Sequence, residues 1–326
     1  MIKYPAKIKL ANTPTPIEHL SRLSKLLSGA EIYIKRDDLT GLEMSGNKIR
    51  KLEFVVADAL KNGADTLITC GGIESNHCRA TAAVCAKLGI NAHLVLRGTP
   101  PKIPDGNFLL DKLFNASFRF ITKEEYQNIE PIFDDEIEKL KKNGLKPYAF
   151  PSGASNEIGV WGYIKVMEEI CKFKNVKFDY IVSATGSGGT LAGLILGNCF
   201  FDYKAQVYGV NVCDDAEYFI NKVNSIFDKF EERYKIKLKR PALKINIIEG
   251  FVGKGYALNT QEELEDLKSI ARLEGIVLDP TYTVKAFRGL IENVKNGLFK
   301  KNKKILFIHT GGLFGIYPNK NLFRWK

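Results

Sequence analysis

Lys48 follows Ser45, Gly46 and Asn47 and opens an apolar helical stripe of Ile49, Leu52, Val55, Val56, Ala59 and Leu60, which ends at Asn62-Gly63. A helix N-terminus carries roughly half a positive charge, so a lysine is placed there against the usual preference. That field, with nearby cations, favours the neutral amine, the form that attacks a carbonyl to make a Schiff base. The same residue also reads as a surface lysine at a helix start.

Three glycine-rich turns carry further chemistry. Gly71-Gly72-Ile73-Glu74-Ser75-Asn76-His77 follows a strand and opens a helix. Free backbone N–H groups with Ser75 and Asn76 can catch a carboxylate there. One of the two can instead cap the helix, leaving the other for a ligand. Thr185-Gly186-Ser187-Gly188-Gly189-Thr190 lies between a strand and an apolar helix at 191–196. Its glycines turn N–H groups around an anion, and the helix dipole assists. Neither the nucleotide P-loop nor the dinucleotide fingerprint has this spacing. Thr310-Gly311-Gly312 closes a last strand, where a hydroxyl and two glycines allow a flat ring to approach. Leu278-Asp279-Pro280-Thr281-Tyr282-Thr283 precedes a helix containing Lys285. Turn chemistry alone also accounts for these last two segments.

The elements that position these turns alternate between short β-rich runs and helical stripes. Strands are expected at 66–70, 93–96, 148–150, 180–183, 207–212 and 305–309, and a strand through Tyr33 runs into the polar turn Lys35-Arg36-Asp37-Asp38-Leu39. Most are continuous apolar runs, as in parallel strands covered on both faces. The pattern predicts an α/β fold with parallel sheets. Further helical stripes lie at 80–88 and 262–273.

The 326 residues carry 48 Lys and Arg against 37 Asp and Glu, a net charge of +11. The lysines are dispersed and no nucleic-acid motif accompanies them, so solvated faces explain the charge and no nucleic-acid partner is expected. The six cysteines form no CxxC pair; reduced thiols, no metal and a cytoplasmic protein are expected. No run of about 18 apolar residues suggests a membrane span.

In this order, the segments resemble the tryptophan-synthase β-like family of pyridoxal 5′-phosphate (PLP) enzymes of fold type II, roughly from Ile8 to Phe314. Within it they are similar to the branch of D-cysteine desulfhydrases and 1-aminocyclopropane-1-carboxylate (ACC) deaminases. The run from Lys35 to Leu39, and on to Gly46-Asn47-Lys48, is the most specific part. The resemblance implies that Lys48 carries PLP as a Schiff base, with Asn47 beside the cofactor and Asn76 bonded to its ring hydroxyl. It assigns the phosphate to Thr185, Gly186, Ser187, Gly188, Gly189 and Thr190. It assigns the substrate carboxylate to Ser75, Asn76 and His77, and makes Tyr256 and Tyr282 active-site tyrosines, which with Thr283 are expected to contact the substrate.

Two positions divide the branch. ACC deaminases carry glutamate after the second tyrosine and leucine in the final His-x-Gly-Gly motif; this chain has Thr283 and Thr310, which places it on the D-cysteine desulfhydrase side. The expected reaction is β-elimination from a small amino acid. ACC deamination, elimination from D-serine, 3-chloro-D-alanine or a sulfonated alanine, and a non-catalytic ligand-binding relative are the alternatives. The expected architecture is two-lobed, with 1–50 and 159–326 forming a large PLP-binding domain and 51–158 a small inserted α/β domain. A homodimer is implied by the family.

Overall fold

The computed structural model describes residues 2–27 and 29–325. Among these residues ten strands form two sheets: β1 (Ile17–His19), β2 (Glu31–Lys35), β3 (Thr66–Gly72), β4 (Asn91–Arg97), β5 (Ser117–Ile121), β6 (Pro147–Ala149), β7 (Tyr180–Thr185), β8 (Gln206–Asn211), β9 (Asn246–Ile248) and β10 (Lys304–Ile308). The larger sheet has the order β1-β2-β10-β7-β8-β9 and the smaller β5-β4-β3-β6. Every pairing is parallel except β1 with β2. Five of the six expected runs form inner strands, the run at 148–150 forms the edge strand β6, and all six residues of β7 are buried. β1, β5 and β9, which the sequence reading did not identify, are edge strands. β5 shows why: its exposed and half-buried positions leave no continuous apolar run.

One hydrophobic core crosses between the sheets, joining Leu67, Leu94 and Leu96 to Ile181, Leu306 and Ile308. A single helix, Asn47–Lys61, runs across the expected boundary at residue 50. It packs on the helix Trp161–Lys172 so closely that a Cβ on Gly162 would lie 2.5 Å from the Arg50 carbonyl oxygen.

The sequence explains how this helix is held. The polar turn after β2 contributes to a buried cluster of two cations and two anions. Arg50 pairs with Asp37 at 2.8 Å and with Glu169 at 2.7 Å, and Lys35 pairs with Glu169 at 2.8 Å. Thr15 and Tyr163 donate hydroxyl bonds to the two Asp37 oxygens. Each charge is thus compensated and hydrogen-bonded, the condition under which buried ions are tolerated. The cluster ties β2, the turn after it, the Lys48 helix and the helix Trp161–Lys172 together.

Because the sheets are parallel, the loops that carry chemistry leave the carboxyl ends of their strands, where open α/β sheets bind ligands. β3 feeds the Ser75 turn, β7 the glycine loop, β10 the Thr310 turn, and β2 the segment that leads to Lys48.

Asp37 yields a test of this framework. Burial alone would raise its pKa, but the charges of Arg50 and Lys35 and its hydrogen bonds hold it below the usual carboxylate range. Such a group contributes stability above its unfolded pKa of about 4, lost as pH falls through the lower folded value. Asp37→Asn should therefore cost about 3 kcal/mol at pH 7. Denaturant unfolding should also show a smaller loss of stability on acidification than in the unaltered protein.

Candidate active site

The loops from the two sheets enclose a cavity of about 460 Å³. Lys48 lines it from the first turn of its helix. The helix start is fixed by the Asn47 backbone N–H, which donates to the Thr310 carbonyl at 3.0 Å, and by the Asn47 side chain, which donates to Thr190 Oγ1 at 3.0 Å. Gly46 has φ of 104°, and a Cβ there would lie 2.7 Å from the Thr310 carbonyl oxygen. Glycine is required by both conformation and space.

Among the described residues, Lys48 Nζ makes no ion pair. Its pKa is pushed down to about 8; lost hydration is the largest cause, and Asp279 opposes it. The sequence argument attributed a neutral amine to the helix field, whereas burial dominates. Lys51, one helical turn on, is fully buried where Lys48 is half-buried, and donates to the Gly153 carbonyl at 3.2 Å. Burial first, and then the charge of Lys48, push it well down.

Ser75 is the cap of the helix Asn76–Leu88 and accepts from the Cys78 N–H at 3.2 Å. Asn76 Oδ1 accepts from the Asn107 amide at 3.0 Å, which directs the Asn76 donor nitrogen elsewhere. His77 is buried beside them, with Nε2 2.8 Å from Thr69 Oγ1. Thr69 gives its own proton to the Phe150 carbonyl, so Nε2 must carry the ring proton and Nδ1 is left as an acceptor. Nδ1 has no partner among the described residues. Burial, then Lys48 and Lys51, hold the ring well below the usual histidine range. A neutral ring of this tautomer cannot offer a carboxylate a proton from Nδ1, so the expected contribution of His77 reduces to its backbone N–H.

The glycine loop lines the opposite wall. The 12-residue helix Gly189–Phe200 begins at Gly188, φ 80°, without a side-chain cap. The Gly189 N–H donates to Ser155 Oγ at 3.3 Å, and the N–H groups that follow it in the first turn are left for an anion. Gly189 itself is behind the wall, where a Cβ would meet Ser155 at 2.6 Å. The cavity wall carries Lys48, Arg97, Lys123 and Lys222 against one acid, Asp214, a balance that suits an anionic ligand.

Tyr256 and Tyr282 meet in the cavity with their hydroxyls 2.7 Å apart. Burial pushes Tyr256 up to about 12 and Tyr282 well above the usual phenol range, so both are protonated at neutral pH. Arg97 lies 5.1 Å over the Tyr256 ring. Thr310 lines the cavity. Thr283 does not: its hydroxyl and N–H both donate to Asp279 Oδ1 at 2.7 Å. Its expected place as a substrate contact is corrected to that of a helix-start residue bound to a buried carboxylate.

Several cavity features had escaped the sequence reading. Ser152, Gly153 and Ser155 form a turn after β6 that backs the glycine loop, Ser155 Oγ lying 2.8 Å from Ser187 Oγ. The cluster Pro151-Ser152-Gly153-Ala154-Ser155 carried a turn signal that could have marked it. Arg97 ends β4 as the other site residues end their strands, while Tyr126 and Lys123 had no signal.

This arrangement fits PLP. A glycine loop and helix start with free N–H groups in a cationic cavity match the phosphate, and a poorly hydrated amine without an ion pair matches the aldehyde. A Cβ on Gly153 would lie 3.2 Å from Lys48 Nζ and 2.5 Å from Ser187 Oγ, so the space between amine and loop is kept clear. Residues 8–311 match the family model described as pyridoxal-phosphate-dependent enzyme. The chain belongs to this family. It is 47% identical to the Arabidopsis thaliana bifunctional D-cysteine desulfhydrase/1-aminocyclopropane-1-carboxylate deaminase, mitochondrial, over 94% of this chain and 78% of that protein. It is 39% identical to the Klebsiella pneumoniae D-cysteine desulfhydrase, over 96% and 97% of the two chains. The crystal structure of an ACC deaminase homologue superposes with a TM-score of 0.89 at 38% identity, covering 98% of this chain and 95% of that one. The protein is a PLP-dependent enzyme of fold type II, and no described helix is long and apolar enough to cross a membrane.

The Lys48 pKa can be measured directly. In the cofactor-free protein, acylation of Lys48 read by peptide mass spectrometry should rise with pH and level off above about pH 8, as the amine loses its proton. A rise that continues to the ordinary lysine value of about 10.4 would contradict the burial argument.

Proposed function

We propose that this enzyme eliminates sulfide from D-cysteine, so that D-cysteine and water yield pyruvate, ammonia and hydrogen sulfide. The observation that carries the reading is the hydroxyl of Thr310 on the cavity wall. The buried acid Asp279 turns its oxygens to Thr281, Tyr282 and Thr283. A hydroxyl does not fix a proton on the cofactor ring as a carboxylate does. That suits a substrate whose Cβ already bears a good leaving group. The plant relative, named for both activities, and the bacterial relative, named for D-cysteine alone, support the same chemistry.

Bound PLP supplies an electron sink that acidifies the substrate Cα–H bond. The phosphate would be held by the free N–H groups of the loop 185–190, Gly189 excepted because its N–H is bonded to Ser155, with Asn47, Asn76 and Thr310 around the ring and Lys48 as the anchor. Ser75 and the N–H groups at the start of its helix bind the substrate carboxylate and set the orientation of Cα. Lys48 Nζ, uncharged above about pH 8, is the base for the Cα proton. The Tyr256–Tyr282 pair, both protonated, can donate a proton to the departing sulfur. We further place the enzyme in the cytoplasm as a homodimer, and assign the lobes to 51–158 and the remainder of the chain.

Purified PLP-loaded protein should release sulfide and pyruvate from D-cysteine and leave ACC unchanged; L-cysteine, run in parallel, reads the stereochemical preference. Ser75→Ala should lower kcat/KM for D-cysteine on the order of a hundredfold through loss of one hydrogen-bond donor. Conversion of ACC at a comparable rate would contradict the reading drawn from Thr310.

A further inference from the structure

Lys285 lies in the first turn of the helix Thr283–Lys295 and is fully buried. Among the described residues its ammonium reaches no carboxylate within bonding distance. Its three N–H groups instead meet three main-chain carbonyls, those of Val252 and Gly255 at 2.7 Å and of Leu258 at 3.0 Å. All three belong to one segment, 249–260, which connects β9 to the helix Gln261–Glu274 without forming helix or strand. The segment bends through positive φ at Gly250, Gly253, Gly255 and Ala257. Tyr256 stands within the three-carbonyl arc.

A segment of this kind has little to hold its shape. Two backbone bonds close it internally, Gly255 N–H to Val252 and Leu258 N–H to Gly255, each at 3.2 Å. Asn259 ties its far end to the Pro280 carbonyl at 2.6 Å. Tyr256 must nevertheless place its hydroxyl 2.7 Å from that of Tyr282, the residue that precedes the Lys285 helix. Both tyrosines therefore take their positions from one helix, Tyr282 through the chain and Tyr256 through the ammonium.

We propose that Lys285 is a positioning residue whose ammonium serves as a built-in cation, gathering three carbonyls of residues 252–258 so that Tyr256 meets Tyr282 in the catalytic cavity. Three carbonyl oxygens converging on one buried positive charge match the three donors of an ammonium and leave none unused. Hydrogen bonds to a charged donor are stronger than neutral ones, and more so when buried. Glu263 adds a favourable field, although burial moves the lysine pKa down. The proposal rests on Tyr256 acting in the cavity and is independent of which amino acid is the substrate.

Two substitutions test it. Lys285→Met keeps the length of the side chain but cannot donate; Lys285→Ala opens space for an external cation. With no substrate present, hydrogen–deuterium exchange of residues 249–260 should accelerate in both, while exchange in β7 and β10 is unchanged. The PLP absorbance of Lys285→Met should match the unaltered enzyme, and its turnover should fall on the order of a hundredfold, as for a misplaced catalytic group. Ammonium or methylammonium should restore turnover in Lys285→Ala, whereas tetramethylammonium, which has no N–H, should not. Unchanged exchange of 249–260 in Lys285→Met would overturn the proposal, as would equal rescue by tetramethylammonium. An enzyme inactive on D-cysteine but showing the accelerated exchange would overturn the substrate assignment and leave Lys285 in its place.

Discussion

The structure depends on holding one lysine amine in a poorly hydrated cavity without an acidic partner. An ion pair would hold Lys48 protonated and unable to attack an aldehyde, while free exposure would restore its ordinary basicity. Its pKa of about 8 expresses the intermediate condition, with lost hydration opposed by the field of Asp279. Asp279 could have paired with it, but its oxygens are taken by the N–H groups of Thr281, Tyr282 and Thr283 and by the Thr283 hydroxyl. The acid therefore acts on Lys48 at a distance.

Holding that amine in place requires a rigid helix, and behind the cavity a paired charge cluster secures it. Arg50, two residues past Lys48, is locked between Asp37 and Glu169. Lys51 lies under the turn at Gly153, and Asn47 bridges to Thr190. One face of the helix thus carries reactive chemistry while Asn47, Arg50 and Lys51 anchor the helix to the structure behind it. Parallel strands deliver the remaining groups to the same end of their sheets, and the segment bearing Tyr256, which no strand supports, is held by Lys285.

Much of this was legible in the sequence because strand, glycine turn and helix start leave local signals. Lys48, Ser75, Asn76 and Thr310 carry such signals, whereas Tyr256 and Tyr282 are active-site candidates only through the family resemblance; all six line one cavity. Thr283 was misplaced because adjacency to Tyr282 does not fix direction: at a helix start the side chain turned to Asp279 and away from the cavity. The tautomer of His77 depends on Thr69 and Phe150, which no local pattern connects to it. The Lys35–Leu39 turn stood out as specific, but its role required Arg50 and Glu169, brought to it only by packing. Edge strands such as β5 were missed for lack of a continuous apolar run.

The most direct test of the account is to reduce the PLP-loaded enzyme with borohydride, digest it and locate the pyridoxyl-modified lysine by mass spectrometry. The account predicts modification at Lys48 alone, with Lys51, one turn away, unmodified. A pyridoxyl group on Lys51, Lys222 or any other lysine would contradict it.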